Sequence, residues 1–252
     1  MDVSGVQPAA RSIVRQLAQV YVAHLGTDLV SLVVHGSAVK GGFIPGSSDV
    51  DVVAFVDPAS LTPGGELPLE RALGLHRDLA RIDPAPFRYL QGRINPSREE
   101  FSVGFIPGTY HVVAGSPDVP LATGAELLGA AKTSLAALDP AARWDKISHA
   151  LLDSGEGRLD RQVRYLCTDV WPVMYHVACI YVGDGLVAWQ RTKPEVAALL
   201  GDDPVIGPPL TRWMEMVHRH YGEGEMVDTA LATIQAGVDF IEIAAQWARG
   251  RP

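Results

Sequence analysis

HGSAVKGGFIPGSSDVDVVAFV, residues 35–56, is the stretch whose reading decides the fold. It joins two β-branched runs, LVSLVVHG at 29–36 and DVDVVAFV at 49–56, through a glycine-rich loop. Runs of this kind, bounded by Gly and Pro, are predicted strands. Alternate side chains of a strand share a face, so Asp49 and Asp51 are predicted to project together while Val50 and Val52 point into a core. Two carboxylates held side by side repel, and a cation between them relieves the repulsion. Mg²⁺ suits the position, because it takes hard oxygen ligands and is held by one or two protein carboxylates plus phosphates and water. A nucleoside triphosphate completes that shell. Gly36 and Ser37 are then candidate phosphate holders: a missing side chain leaves backbone N–H groups approachable, and the hydroxyl is a further donor. Ser48 is expected to support the two aspartates.

Outward from this stretch, the chain divides by pattern. Ile13, Val14, Leu17, Val20 and Tyr21 recur at helical spacing over 10–25, and Gly26 is a natural stop. A Pro- and Gly-rich loop at 57–68 precedes a predicted helix at 69–81, and β-like segments follow at 87–94, 100–106 and 110–114. Beyond Pro117, Ala-, Leu- and Arg-rich helical patterns dominate, with helices predicted at 123–132, 141–153, 159–182, 193–200, 209–221 and 226–249. Pro172, which cannot donate a helical hydrogen bond, is expected to kink or divide the third of these. The fold class is therefore α/β (α+β): a domain with a mixed sheet over 1–117, followed by an all-α helical-bundle domain over 118–252.

Charge narrows the partners. A net charge of −8 disfavours nonspecific attraction to nucleic acid, which needs a basic surface. From Ser134 onward there are 16 acids against 11 bases, a balance that suits a cationic small molecule or simply a solvated acidic face. No apolar run approaches the roughly 20 residues a membrane span needs, and the N-terminus lacks a secretory pattern, so a cytoplasmic protein with no membrane partner is expected. Cys167 and Cys179, if on one helix, are roughly 18 Å apart, too far to bridge, and are read as buried thiols.

Gly36-Ser37, eleven residues, then Asp49-Val50-Asp51 resembles the Gly-Ser…Asp-x-Asp signature of the polymerase-β-like nucleotidyltransferase superfamily. The whole of HGSAVKGGFIPGSSDVDVVAFV is similar to the adenylyltransferases that modify streptomycin and spectinomycin. The resemblance implies transfer of AMP from ATP to a hydroxyl of an aminoglycoside-like molecule, with Asp49 and Asp51 holding Mg²⁺, in an antibiotic-resistance setting. YVGDGLVAWQRTKPEVAALL, residues 181–200, resembles a stretch of the same family's second domain and implies that Lys193 contacts nucleotide phosphate. The family also carries a third carboxylate on a later strand. Direct overlay puts Gly104-Phe105 there, and Phe105 cannot be a base; Glu100, or less directly Glu99, is the alternative candidate. The related helix has an arginine where this chain has Asp169.

Other residues have two readings each. Glu156 and Asp160, one turn apart if helical, could receive substrate ammonium groups or could favour a helix start. His176 lies among apolar residues and is read as a core histidine, and His218 and His220 lack partners at zinc spacing. Trp144, Trp171 and Trp189 could stack on a sugar or base, or pack a core. Two further readings of the whole chain stand beside the transferase: a catalytically impaired nucleotide-binding regulator on the same scaffold, and a transferase acting on a protein partner. A monomer or small homo-oligomer is expected.

Overall fold

Ile13, Val14, Leu17, Ala18 and Tyr21 share one face of the first helix, Arg11–Leu25 (α1), and are buried almost completely. They cover a four-stranded sheet built from Leu29–His35 (β1), Val50–Val56 (β2), Leu90–Pro96 (β3) and Tyr110–Gly115 (β4). The structure is a computed structural model and describes residues 1–97, 104–224 and 226–250. Its chain forms two compact units, Met1–Ala122 and Thr123–Pro252.

The strand order in the first unit is β3-β2-β1-β4. β1 is antiparallel to both β2 and β4, whereas β2 and β3 are parallel. A parallel pair needs a crossover, and the helix Leu69–Leu79 (α3) lies in the connection between β2 and β3. The pleat separates two apolar clusters. Leu32 and Val34 of β1 and Val50, Val52, Ala54 and Val56 of β2 pack with α1 and α3, while Val33, Val53 and Phe55 face the other way with Phe105, Tyr110 and Val112. Between β1 and β2 sits a single helical turn, Ser37–Lys40 (α2), tied down by Gln7, whose N–H and side-chain amide donate to the Ala38 and Val39 carbonyls.

Among the described residues of the second unit all regular structure is helical: Gly124–Ala136 (α4), Pro140–Ala150 (α5), Arg158–Val182 (α6), Gly185–Trp189 (α7), Lys193–Leu200 (α8), Gly207–Glu223 (α9) and Val227–Arg249 (α10). Trp213, Met174, Leu210 and Phe240 fill its interior. Across its described residues the chain is α+β and mostly helical. No described helix is long and apolar enough to cross a membrane.

Several expectations shift. β3 begins three residues later than the 87–94 pattern suggests, because Phe87 turns back on Pro84 through an N–H bond to its carbonyl and buries its ring against Phe43. The segment expected as a strand at 100–106 falls partly outside the described residues; Phe105 makes an isolated bridge to Leu121. The one-turn helices α2 and α7 went unpredicted, being too short to show a period. Pro172 does not divide α6, which runs from Arg158 to Val182. The ladder loses one donor there, and buried Val170, Val173 and Met174 hold the segments on either side as one helix. Cys167 and Cys179 both lie on α6 as buried free thiols.

Candidate functional site

Asp49 immediately precedes β2, and Asp51 is its second residue. Both are half-buried, and Val50 between them is fully buried on the opposite face. The register sets Asp51 beside His35 of β1 on one side and Gln91 of β3 on the other, and His35 in turn beside Tyr110 of β4. One rung of the sheet therefore reads Tyr110, His35, Asp51, Gln91, all on the face turned away from α1.

Gly36 follows β1 with φ +71°, a conformation that side-chain-bearing residues rarely adopt, and a β-carbon there would lie 2.9 Å from Asp51 Oδ2. The Asp51 carboxylate thus packs directly on the Gly36 backbone, and the Gly-Ser turn and the second aspartate form one feature. The Gly36 N–H is already used: it donates to the Thr109 carbonyl at 2.9 Å. This corrects the expectation that Gly36 itself offers a donor to phosphate. The donors at the turn are the N–H groups of Ser37 and Ala38 and the Ser37 hydroxyl, which enter no hydrogen bond among the described residues. Gly36 contributes its conformation and its missing side chain.

Ser48 is buried, and its Oγ accepts the Ile44 N–H at 2.9 Å while its carbonyl accepts the Arg88 N–H at 2.7 Å. It closes the glycine-rich loop and so fixes where the chain re-enters the sheet at Asp49. His35 is held below the usual histidine range, first by burial and then by the positive charge of Arg93, with Asp49 opposing. It is a neutral imidazole beside the acids at pH 7.

Asp51 lies on the face turned away from α1, and Asp49, one residue before β2, is near enough to act on His35, so two hard oxygen donors stand at a turn with free N–H groups. That set fits Mg²⁺ in its common form, two protein carboxylates completed by substrate oxygens and water. Among the described residues no group of three or more His, Cys, Asp or Glu could hold a metal alone, so the remaining ligands would come from a bound substrate.

The position facing Asp51 on the later strand is Gln91, whose Oε1 accepts the Tyr89 hydroxyl at 3.0 Å. The sequence reading missed it. Its signal was available only through the parallel register of β2 and β3, since Gln91 lies forty residues beyond Asp51. Phe105 is half-buried against the Val33, Val53 and Phe55 cluster, stacked on Tyr110 at 4.6 Å between ring centres. Glu99 and Glu100 lie outside the described residues.

Three candidates belong to the second unit. Lys193 is the first residue of α8, behind a Thr192–Glu195 capping box worth about 1 kcal/mol, and its Nζ lies 5.2 Å over the Trp171 ring. Glu156 is not on a helix; it sits exposed in the turn before α6. Asp160 is 8% exposed, with Oδ1 3.6 Å from Nε2 of the fully buried His220. The two acids therefore do not form an open pair for a cationic substrate: one faces water and the other faces an interior imidazole. The tryptophans pack among neighbours, Trp171 against Trp213, Trp189 stacked on Tyr175, and Trp144 donating to Glu242. Asp169 pairs with Arg143. Burial holds His176 below the usual histidine range, beside the edge of Trp189.

The chain matches no protein-family model, and no curated protein matches it.

Proposed function

We propose that this protein is a Mg²⁺-dependent nucleotidyltransferase that moves a nucleoside monophosphate from a triphosphate to a hydroxyl of a polar small molecule. The observation that carries the reading is the packing of Asp51 on Gly36, which joins an acid pair to a turn with unpaired N–H donors. The resemblance of 35–56 to streptomycin- and spectinomycin-modifying adenylyltransferases favours AMP from ATP.

In this reading the acceptor oxygen bonds to the α-phosphorus as the bond to the bridging oxygen breaks. Pyrophosphate leaves with the bonding pair, and the hydroxyl proton passes to water or to the departing phosphate. Mg²⁺ at Asp49 and Asp51 would neutralise charge on the phosphate oxygens. Ser37 and Ala38 donate to the triphosphate, and Gly36 permits the approach. His35, uncharged, adds no positive charge to compete with the cation. Ser48 positions Asp49 through the loop.

Gln91 favours a second reading. An amide accepts no proton, so the site has no base at the position closest to Asp51 on β3, which suits a regulator that binds nucleotide without transferring it. One experiment separates the two: pyrophosphate release from each of the four triphosphates across a panel of hydroxyl acceptors, with and without Mg²⁺, beside calorimetry of Mg·ATP binding. Transfer predicts Mg²⁺-dependent release that falls at least 100-fold in Asp49→Asn and Asp51→Asn. Turnover surviving in either variant removes the reading, and binding with no release against any acceptor selects the regulator.

A further inference from the structure

The flank of the acid pair opposite the Gly-Ser turn is uncharged at one position and cationic at the next. β1, which ends in that turn, lies on one side of β2, and β3 lies on the other. On β3, Gln91 is level with Asp51 and Arg93 is level with Val53, both on the acid face. Arg93 is exposed and forms no ion pair or hydrogen bond among the described residues.

In-line displacement sets the attacking and departing oxygens on opposite sides of the phosphorus. With the triphosphate tail on the β1 side, at Ser37 and Ala38, the attacking hydroxyl comes from the β3 side. The molecule that carries it therefore meets Gln91 and the Arg93 guanidinium. A guanidinium repels an ammonium and binds planar anionic oxygens with two parallel N–H donors. We propose that Arg93 recognises an anionic group, a phosphate monoester or a carboxylate, on the hydroxyl acceptor, so that the acceptor is an anionic polyol and not a cationic one. The inference rests on the transferase reading for the position of the triphosphate, and it departs from the aminoglycoside that the resemblance implies. Gln91 fits the same assignment: an amide beside Arg93 offers a donor to the acceptor without the negative charge that would drive an anion away.

The test uses the full chain saturated with Mg²⁺ and an α,β-methylene triphosphate, which cannot transfer. Glucose 6-phosphate, gluconate, glucose and glucosamine are titrated and followed by ligand-observed NMR. At least one anionic probe is expected to bind tenfold or more tighter than glucose and glucosamine, and whether phosphate or carboxylate gains identifies the group. Arg93→Gln closes that gap, Arg93→Lys keeps part of it, and both leave the triphosphate Kd within twofold. No gap in the wild type, or a gap that survives Arg93→Gln, overturns the proposal. The underlying reading fails separately, if Asp51→Asn still binds the Mg·triphosphate as the wild type does.

Discussion

A β-carbon on Gly36 would come within 2.9 Å of Asp51 Oδ2, so the residue that turns the chain out of β1 is also the floor under the second aspartate. Gly36→Ala brings two penalties, the strained φ of +71° and the contact with the carboxylate. The backbone part costs roughly 1–3 kcal/mol. The contact is relieved when Asp51 is shortened, so Asp51→Ala is expected to cost less in the Gly36→Ala background than in the wild type. A double-mutant cycle by urea denaturation reads the coupling, and strict additivity would deny the contact.

Gln91→Glu places a carboxylate level with Asp51 on the neighbouring strand. If the missing base limits transfer, the variant gains pyrophosphate release by roughly 10²–10⁴-fold, the usual contribution of a positioned general base. Steady-state release with Mg²⁺ and ATP measures it. A variant no faster than the wild type would mean that proton removal does not limit the reaction.

The acid pair, the Gly-Ser turn and both flanking strands were readable because each depends on local pattern, period two in 49–56 and a glycine at a sharp turn. Gln91 and Arg93 were not, since nothing in their own neighbourhood says which β2 residue they stand beside; only the parallel register does. Asp160 misled for a related reason. Its spacing from Glu156 suggested a shared helical face, but Gly157 adopts φ +68° and starts α6 after Glu156, so the two acids part. Pro172 does not end the helix, because burial on both sides outweighs one lost hydrogen bond.

His176 gives the protein a pH dependence of definite sign. Burial depresses its pKa in the folded state, so the unfolded chain, with an ordinary value near 6.5, binds the proton more readily. Its contribution is whole above about pH 6.5 and is lost as the pH falls through that value toward the depressed one. The urea midpoint of the wild type should therefore fall relative to His176→Phe between about pH 7.5 and 5.5. Parallel curves for the two proteins would contradict this.

Cys179 should be inert in the folded protein. Burial, and then the charge of Asp184, push its thiol up to about 12, which leaves a thiolate fraction on the order of 10⁻⁴ at pH 8. Iodoacetamide at pH 8 is expected to label it only after denaturation, as mass spectrometry of the peptide would show. Labelling of the native chain at the rate of a free thiol would overturn the burial.

Asp160 and Glu156 should separate sharply by stability. Asp160 is 8% exposed and sits 3.6 Å from the buried His220, whereas Glu156 faces water in a turn. Removing Asp160 leaves the interior imidazole of His220 without the carboxylate it faces, at a cost of roughly 1–3 kcal/mol, while an exposed turn residue stays within about 0.5 kcal/mol. Asp160→Ala is thus expected to lower the urea midpoint strongly and Glu156→Ala to leave it unchanged. Neither effect should depend on Mg²⁺ or nucleotide, since Asp160 is buried against His220 and Glu156 lies in a turn apart from it. Equal effects of the two substitutions, or a stable Asp160→Ala protein that loses only acceptor binding, would return Asp160 to the list of substrate contacts.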